Sequence, residues 1–266
     1  MCGIAGYSLS ESSRVDRTLA AQTLLAAISD RGSDAVGYAY RGPDVRLAVH
    51  KQRTGASGLL ETHAIPSAAR QALIHVRDYT KGHPSLADNN HPVRHGSVVG
   101  IHNGIIANDE EIFARHALRR HTPYMSVDSE AIFALAEREW SRAQALEQLH
   151  GSMAAGWVDE RVPEVVFVTR GMGRPLWTGE GRGELFFAST REALELTERY
   201  TGLRLEKREV PEGTLLALSE GHVVRHGSFE PDRSFTEELL PPVRAPEEAR
   251  FCLARLAAIA APATAR

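Results

Sequence analysis

The second half of the chain is a series of short apolar segments separated by turn signals, and this pattern limits the fold more than any other feature. The segments have the length of strands and are too short for typical helices. The tetrapeptide Ser219-Glu220-Gly221-His222 predicts a hairpin between the last two. Strands grouped in this way favour antiparallel sheets in an α+β protein over parallel βαβ units. The predicted strands are Ala154–Val158, Val165–Arg170, Leu185–Ala188, Thr214–Ser219 and Val223–His226.

The first half of the chain mixes strand and helix patterns. A strand is predicted over Gly3–Ser10, and an apolar helical period then runs from Leu19 to Ile28 and closes at Asp30-Arg31-Gly32. Two further helices are predicted over Asp109–Arg119 and Asp128–Trp140. The other predicted strands are Val36–Tyr40, Val45–Lys51, Ala72–Arg77 and Ser97–Ile101.

The C-terminal part of the chain has a different composition. From about Pro231 the sequence becomes Pro-rich and then Ala-rich, with a weak helical pattern over Pro246–Ile259. We therefore expect one domain over residues 2–230 and a C-terminal extension over residues 231–266. The weakly amphipathic extension is a candidate docking element, and a solvated or packed C-terminal helix is the more ordinary alternative.

The charge and cysteine content limit the partners of the protein. Lys and Arg number 31 against 34 Asp and Glu, for a net charge of −3, so no excess of either sign indicates a nucleic-acid or membrane partner. No apolar run reaches the roughly 18 to 20 residues that a transmembrane helix needs. Only Cys2 and Cys252 occur, which argues against a disulfide framework. We expect a cytoplasmic protein that acts on a small substrate.

Cys2 directly follows the initiator methionine. Its small side chain permits aminopeptidase removal of Met1, which would leave a thiol and a free α-amine on one residue. An α-amine titrates near ~7.7 to 8.0, so it can accept the thiol proton and make Cys2 a nucleophile. Gly3, Ala5 and Gly6 leave room for a ligand against the first strand. The alternative is a small cysteine that only packs at the start of a strand.

An Asn-Gly pair lies between apolar residues in Ile101-His102-Asn103-Gly104-Ile105. Such a pair is a strong hairpin signal, because both residues tolerate positive φ. It also fits an oxyanion hole, in which the Asn103 side-chain amide and the Gly104 backbone N–H donate to one oxygen of a tetrahedral intermediate. The two interpretations are compatible, since a tight turn aims an N–H rigidly.

Two charged positions could together recognise a free α-amino acid. Arg77 ends an apolar strand, where its guanidinium can bind a carboxylate through two hydrogen bonds, with the Thr80 hydroxyl as another donor. A solvated surface arginine is the alternative. Asp128 precedes an apolar helix, where it fits an N-cap. Its carboxylate could also bind an ammonium group.

Five motifs occur in one order along the chain: Cys2-Gly3-Ile4-Ala5-Gly6, Arg31-Gly32-Ser33-Asp34-Ala35-Val36-Gly37, His75-Val76-Arg77, His102-Asn103-Gly104-Ile105 and Asp128-Ser129-Glu130. In this order and approximate spacing they resemble the class II glutamine amidotransferases, which are N-terminal-nucleophile hydrolases. The resemblance covers about Cys2 to Phe229.

The resemblance implies a four-layer αββα sandwich of antiparallel sheets. It also implies hydrolysis of L-glutamine to glutamate and ammonia through a glutamyl thioester, without a metal or an organic cofactor. The implied site residues are Cys2 as nucleophile and base, Asn103 and Gly104 as oxyanion donors, Arg77 with Thr80 for the α-carboxylate, and Asp128 for the α-ammonium group.

Asp78 and Lys81 differ from residues common in the sugar-phosphate branch of the family, which affects the expected glutamine affinity and loop closure rather than the chemistry. Members of the family usually continue into a synthase domain, and we expect the ammonia to reach a separate synthase subunit instead. One alternative is an amidase that acts on another amide, which the presence of both Arg77 and Asp128 disfavours. Another is a catalytically silent regulatory or scaffold subunit, which the complete motifs disfavour.

Overall fold

The computed structural model describes residues 2–42, 46–236 and 244–260. The described strands are β1 (Gly3–Leu9), β2 (Ala35–Arg41), β3 (Leu47–Gln52), β4 (Gln71–Arg77), β5 (Val93–His95), β6 (Val98–Ile106), β7 (Gly151–Asp159), β8 (Val166–Arg170), β9 (Trp177–Glu180), β10 (Glu184–Ala188), β11 (Glu206–Glu209), β12 (Thr214–Ser219) and β13 (His222–Ser228). The described helices are α1 (Arg17–Ile28), α2 (Ala56–Thr62), α3 (Asp109–Arg115), α4 (Glu130–Arg138), α5 (Arg191–Thr201) and α6 (Pro246–Ala260).

The strands form two antiparallel sheets. A seven-stranded sheet has the order β11-β9-β10-β1-β4-β2-β3, and a six-stranded sheet has the order β13-β12-β8-β7-β6-β5. The N-terminal strand β1 lies inside the first sheet, between β10 and β4. Cys2, which precedes β1, therefore lies next to the end of β4, since Gly3 pairs with Val76.

Three apolar clusters divide these elements into four layers. One cluster packs α1, α2, α5 and α6 on the seven-stranded sheet, another packs α3 and α4 on the six-stranded sheet, and a third lies between the sheets. In β1, Tyr7 faces the helices and Ile4 faces the other sheet, because successive side chains in a strand point to opposite faces. This is the predicted α+β fold, an αββα sandwich of antiparallel sheets.

Most of the predicted strands are confirmed with small changes at their ends. The hairpin is also confirmed, since β12 and β13 pair at Ser219 and His222. Glu220 and Gly221 have φ values of 49° and 79°, as a tight two-residue turn requires. The predicted strand Val45–Lys51 corresponds to β3, and its first residue lies outside the described ranges.

Both predicted helices of the middle region are shorter than expected. Helix α3 ends at Arg115, where the chain soon turns through Ala117 at a φ of 49°. Helix α4 spans only Glu130–Arg138, because Trp140 and Ser141 have positive φ values of 53° and 52° that interrupt the helical backbone.

Two local interpretations of the motifs are wrong. No turn forms at Asn103-Gly104, because β6 runs through both residues and pairs with β7 along its whole length. Asp128 does not cap α4, whose N-cap residue is Ser129. The Asp128 carboxylate instead accepts the backbone N–H of Ile106 over 2.7 Å.

The predicted helix of the C-terminal extension is present as α6. It buries Cys252 and Leu256 completely against the helical layer on the seven-stranded sheet. The predicted domain boundary near residue 230 stays a prediction. Within the described ranges, none of the helices combines the length and the apolar character needed to cross a bilayer.

Candidate active site

Strand alternation brings two of the predicted site residues to the inner face of the seven-stranded sheet. Ile4 of β1 and Leu73 of β4 both pack between the sheets. Cys2 and Arg77 stand an even number of residues from them, so their side chains leave on the same face. The register of β1 and β4 pairs Gly3 with Val76, so Cys2 lies beside Arg77 at the end of both strands.

Asn103 reaches the same space from the six-stranded sheet. It stands two residues after Ile101, which packs between the sheets, and β6 approaches both β1 and β4. The Asn103 side chain is 1% exposed, and neither its oxygen nor its nitrogen has a hydrogen-bond partner among the described residues. An unpaired buried amide lowers stability. Both polar atoms of the Asn103 side chain are therefore available to bind a ligand.

Gly104 follows Asn103 in a conformation that favours glycine. Its φ is +142°, and a Cβ atom at this position would lie 2.0 Å from the Ser152 carbonyl oxygen. Any side chain would therefore displace β6 from β7. The close approach of the two strands fixes the backbone beside Asn103.

The Cys2 side chain is half-buried. Its thiol donates to the Asp78 carbonyl over 3.3 Å, and the Arg31 Nε donates to the Cys2 carbonyl over 2.9 Å. Burial raises the pKa of the Cys2 thiol, and the nearby Arg77 charge opposes that rise. A thiol in this environment needs a base to become a thiolate.

Arg77 is buried, with 2% of its surface exposed, so the surface-arginine alternative is wrong. Its guanidinium donates to the Asn90 side chain and to the Lys81 and Gly82 carbonyls. Burial lowers its pKa, and the charges of Cys2 and Asp128 oppose the shift. Arg77 therefore anchors the loop over residues 78–90 and lies close to both of those site residues.

Asp128 is 3% exposed and is tied to the end of β6 by the Ile106 N–H. Burial raises the pKa of Asp128 to about 6, and the nearby Asp109 contributes to the rise. A buried carboxylate with a raised pKa is stabilised by a cation. Thr80, in contrast, is exposed on the loop, so the structure brings together the other five predicted residues and leaves Thr80 at the surface.

Asp34 holds the start of the same loop. Its backbone N–H donates to the Arg77 carbonyl over 3.0 Å, and its carboxylate accepts the Tyr79 N–H over 2.9 Å. The far end of the loop is held by Asn89, whose side-chain oxygen accepts the N–H groups of Ser126 and Val127. Sequence reasoning missed the role of Asn89, since an asparagine in a polar loop carries no distinguishing signal.

Lys81 is paired rather than free. Its ammonium group lies 2.6 Å from Asp109, and Arg120 lies 2.6 Å from the other oxygen of the same buried carboxylate. The departure from the family pattern at this position therefore gives the loop an ionic connection to the first turn of α3.

Three buried histidines lie behind Asn103. The His75 Nε2 lies 3.0 Å from the His102 carbonyl, which joins the two sheets one residue before Asn103. Burial lowers the pKa of both His75 and His102 to about 3, so neither ring is protonated at neutral pH. His91, which the sequence did not single out, stacks on His75 with ring centroids 4.1 Å apart.

The described residues contain no group of three or more His, Cys, Asp or Glu side chains arranged to hold a metal ion. The site instead combines a thiol, an unpaired amide, a guanidinium and a carboxylate. This set can attack an acyl carbon, stabilise an oxyanion and bind a zwitterionic amino acid.

The profile of the glutamine amidotransferase domain family matches residues 73–196. The glutamine–fructose-6-phosphate aminotransferase of Streptomyces coelicolor is 34% identical over 217 residues, covering 74% of this chain and 34% of that protein. The Escherichia coli K12 enzyme of the same name is 31% identical over 229 residues, covering 80% of this chain and 36% of that protein. The chain thus spans about a third of the length of these relatives.

Solved structures with the same fold include the glutamine phosphoribosylpyrophosphate amidotransferase of B. subtilis. The two structures superpose with a TM-score of 0.66 at 18% sequence identity, and the match covers 85% of this chain and 49% of the B. subtilis chain. Two antiparallel sheets between helical layers are the fold of the N-terminal-nucleophile hydrolases. With the family match and the relatives, the chain belongs to the class II glutamine amidotransferases.

Proposed function

We propose that the chain hydrolyses the side-chain amide of L-glutamine to glutamate and ammonia, with Cys2 as the nucleophile. The unpaired, buried amide of Asn103 carries this proposal, because it faces the strand ends at which Cys2 and Arg77 lie. A buried donor without a partner matches an oxyanion that forms only during the reaction.

In the first step the α-amine of processed Cys2 takes the thiol proton, directly or through a water molecule. The sulfur attacks the amide carbon, and the carbonyl oxygen becomes an oxyanion. The Asn103 Nδ2 and the Gly104 N–H donate to that oxygen. The rigid pairing of β6 with β7 fixes these donors before substrate binds, which avoids the cost of reorganising them.

In the second step the tetrahedral intermediate collapses and its C–N bond breaks. The α-ammonium group of Cys2 returns the proton to the leaving nitrogen, which departs as ammonia and leaves a glutamyl thioester. A water molecule then attacks the thioester, again with the α-amine as base. The same oxyanion donors serve this attack, and the thiol is restored as glutamate leaves.

Recognition of the substrate is assigned to Arg77, Asp128 and Thr80. The glutamine α-carboxylate would replace one of the loop carbonyls that Arg77 now binds. The Thr80 hydroxyl, which is exposed in this structure, would donate to the same carboxylate when the loop closes. The α-ammonium group would pair with Asp128, whose pKa is raised by burial, so that a bound cation would stabilise its ionised form.

The acceptor of the ammonia is proposed to be a separate synthase subunit in the cytoplasm. The relatives of this chain are named as aminotransferases, and the aligned region covers about a third of their length. The proposed catalytic domain spans residues 2–230, with residues 231–266 as an extension.

Ammonia release from three amides tests the proposal. L-Glutamine should be hydrolysed, whereas glutaric acid monoamide lacks the ammonium group and 4-aminobutanamide lacks the carboxylate. We expect both analogues to lose at least ~30-fold in kcat/KM, since each leaves a buried charge unpaired at a cost of about 2 kcal/mol or more.

Cys2→Ala is the control and should hydrolyse none of the three amides. Equal kcat/KM values for glutamine and the two analogues would instead favour an amidase with another substrate. Wild-type protein without activity toward any of them would contradict the proposal.

A further inference from the structure

One short segment, Ser29–Asp34, contacts the site at two points. Arg31 donates to the Cys2 carbonyl over 2.9 Å, and Asp34 donates through its backbone to the Arg77 carbonyl. Between them, Gly32 packs so closely on the Arg77 backbone that a Cβ atom would lie 2.4 Å from its carbonyl oxygen. A displacement of this segment therefore moves the backbone of the nucleophile.

The opposite side of the same segment carries the start of the C-terminal helix region. The Ala245 N–H donates to the Asp30 carbonyl over 2.8 Å, directly before Arg31 in the chain. The Cys252 thiol lies against Ser29, and both residues are fully buried. The three-residue 3₁₀ turn Ser29–Arg31 thus contacts residues 244–260 through Ser29 and Asp30. It contacts Cys2 through the Arg31 side chain.

Helix α6 is also fixed at a second place, away from this turn. The Glu248 carboxylate accepts the Ser57 N–H over 2.8 Å, at the first turn of α2. The residue at the N-cap of α2 is Gly55, which has no side chain to serve as a cap. Glu248 therefore supplies the missing cap from the C-terminal helix, and Leu256 completes the contact in the core.

We propose that residues 244–260 are a positioning element of the active site, which holds the Ser29–Arg31 turn and through Arg31 the backbone of Cys2. This inference rests on the proposed role of Cys2 as nucleophile. Arg31 does not react; it aligns the residue that does. Small displacements of a nucleophile are costly, since a misplacement of about 1 Å can lower a rate by up to ~10²-fold.

Two leucines of α6 provide a matched pair of variants in the full chain. Leu256 is 0% exposed and packs on the helical layer, whereas Leu253 is 40% exposed. The measurement is the rate of Cys2 alkylation by 6-diazo-5-oxo-L-norleucine, together with kcat and KM for glutamine. For Leu256→Ala we expect the maximal alkylation rate and kcat to fall about tenfold. The KM should stay within about twofold, because the pairing of β4 with β1 and β2 also holds Arg77, and the Ile106 N–H holds Asp128.

Leu253→Ala should match the wild type in all these measurements. The inference is wrong if Leu256→Ala reacts as fast as Leu253→Ala while both melt cooperatively. If Leu256→Ala does not fold, Ala245→Pro decides, since it removes the N–H donor to Asp30, places the proline ring against that carbonyl and leaves the buried side chains intact. A maximal alkylation rate for Ala245→Pro that equals the wild type would then refute the inference.

A double-mutant cycle tests whether Arg31 carries the effect. Arg31→Lys removes the Nε–H that binds the Cys2 carbonyl, so Leu256→Ala should add less than about twofold on this background, because contacts in one chain of interactions are not additive. Fully additive losses would contradict transmission through Arg31. A wild-type protein that is not alkylated would instead refute the proposed function, which separates the two failures.

Discussion

Asp128→Asn separates the folding cost of a site residue from its role in binding. Burial raises the pKa of Asp128 from 3.8 to about 6, so the folded protein binds this proton more tightly than the unfolded chain. A raised folded-state pKa gives stability that is fully present below pH 3.8 and is lost as the pH rises through 6. At neutral pH the ionised carboxylate therefore destabilises the fold.

The magnitude follows from the two pKa values. The pKa difference between 3.8 and about 6 means that ionisation of Asp128 lowers the free energy of unfolding by about 3 kcal/mol at pH 8. At pH 4.5, where only part of the carboxylate is ionised, the same linkage gives about 1 kcal/mol. The asparagine keeps an oxygen that can accept the Ile106 N–H but carries no charge. Asp128→Asn should therefore increase the free energy of unfolding by up to these amounts, while kcat/KM for glutamine falls at least ~30-fold.

Urea denaturation at pH 4.5 and pH 8 measures the stability change, and glutamate release measures the loss of activity. Asp16→Asn is the control, because Asp16 is an exposed N-cap of α1 whose carboxylate asparagine can replace. Its effect should stay within about 0.5 kcal/mol at both pH values. The reasoning would be refuted if Asp128→Asn were less stable than the wild type at pH 8. It would also be refuted if the increase in the free energy of unfolding were no larger at pH 8 than at pH 4.5.

Three further variants test the other site residues. Gly104→Ala places a Cβ atom 2.0 Å from the Ser152 carbonyl, so melting should show a loss of about 1–3 kcal/mol and kcat should fall ~10²-fold or more. Arg77→Lys cannot reproduce the forked contacts of the guanidinium; steady-state kinetics should show a larger increase in KM than decrease in kcat, and the reverse would contradict carboxylate binding. His75→Phe removes the donor to the His102 carbonyl, which should cost about 1–3 kcal/mol in denaturation and lower kcat with KM unchanged; an unchanged kcat would show that this contact does not position Asn103.

The fold class follows from local signals that the tertiary structure did not override. The Glu220-Gly221 turn and the grouped short apolar segments of the second half specify antiparallel pairing, because a two-residue turn joins only antiparallel strands. Helix α5 was missed although Thr190 and Gly202 cap its two ends, since its low apolar content hides the helical period. Strand β11 was missed because the charged residues Glu206–Glu209 form an edge strand without alternation.

The site shows where local propensity fails. Asn103-Gly104 has the sequence of a hairpin turn, yet pairing with β7 extends β6 through it. Asp128 has the position of an N-cap, yet its carboxylate is used by Ile106 of another element. Both outcomes depend on residues about 20 to 50 positions away in sequence, which no local pattern contains. The chemistry of the motifs was therefore more informative than their predicted backbone geometry.

The contribution of the C-terminal helix could not be predicted for a similar reason. Its weak amphipathic pattern fits an external docking element as well as a packed helix. The fully buried Leu256 and the Ala245 contact with Asp30 show that the helix packs on its own chain. Such contacts connect positions more than 200 residues apart, where sequence patterns carry no information on pairing.

Intact mass followed by reaction with 6-diazo-5-oxo-L-norleucine tests the central claim most directly. The account predicts a chain without Met1 that gains one adduct, located on Cys2 and not on Cys252 by peptide mapping. Excess L-glutamine should block the adduct, and Cys2→Ala should not form it. A processed, folded protein that gains no adduct on Cys2, with or without cell lysate to supply a partner subunit, would contradict the account.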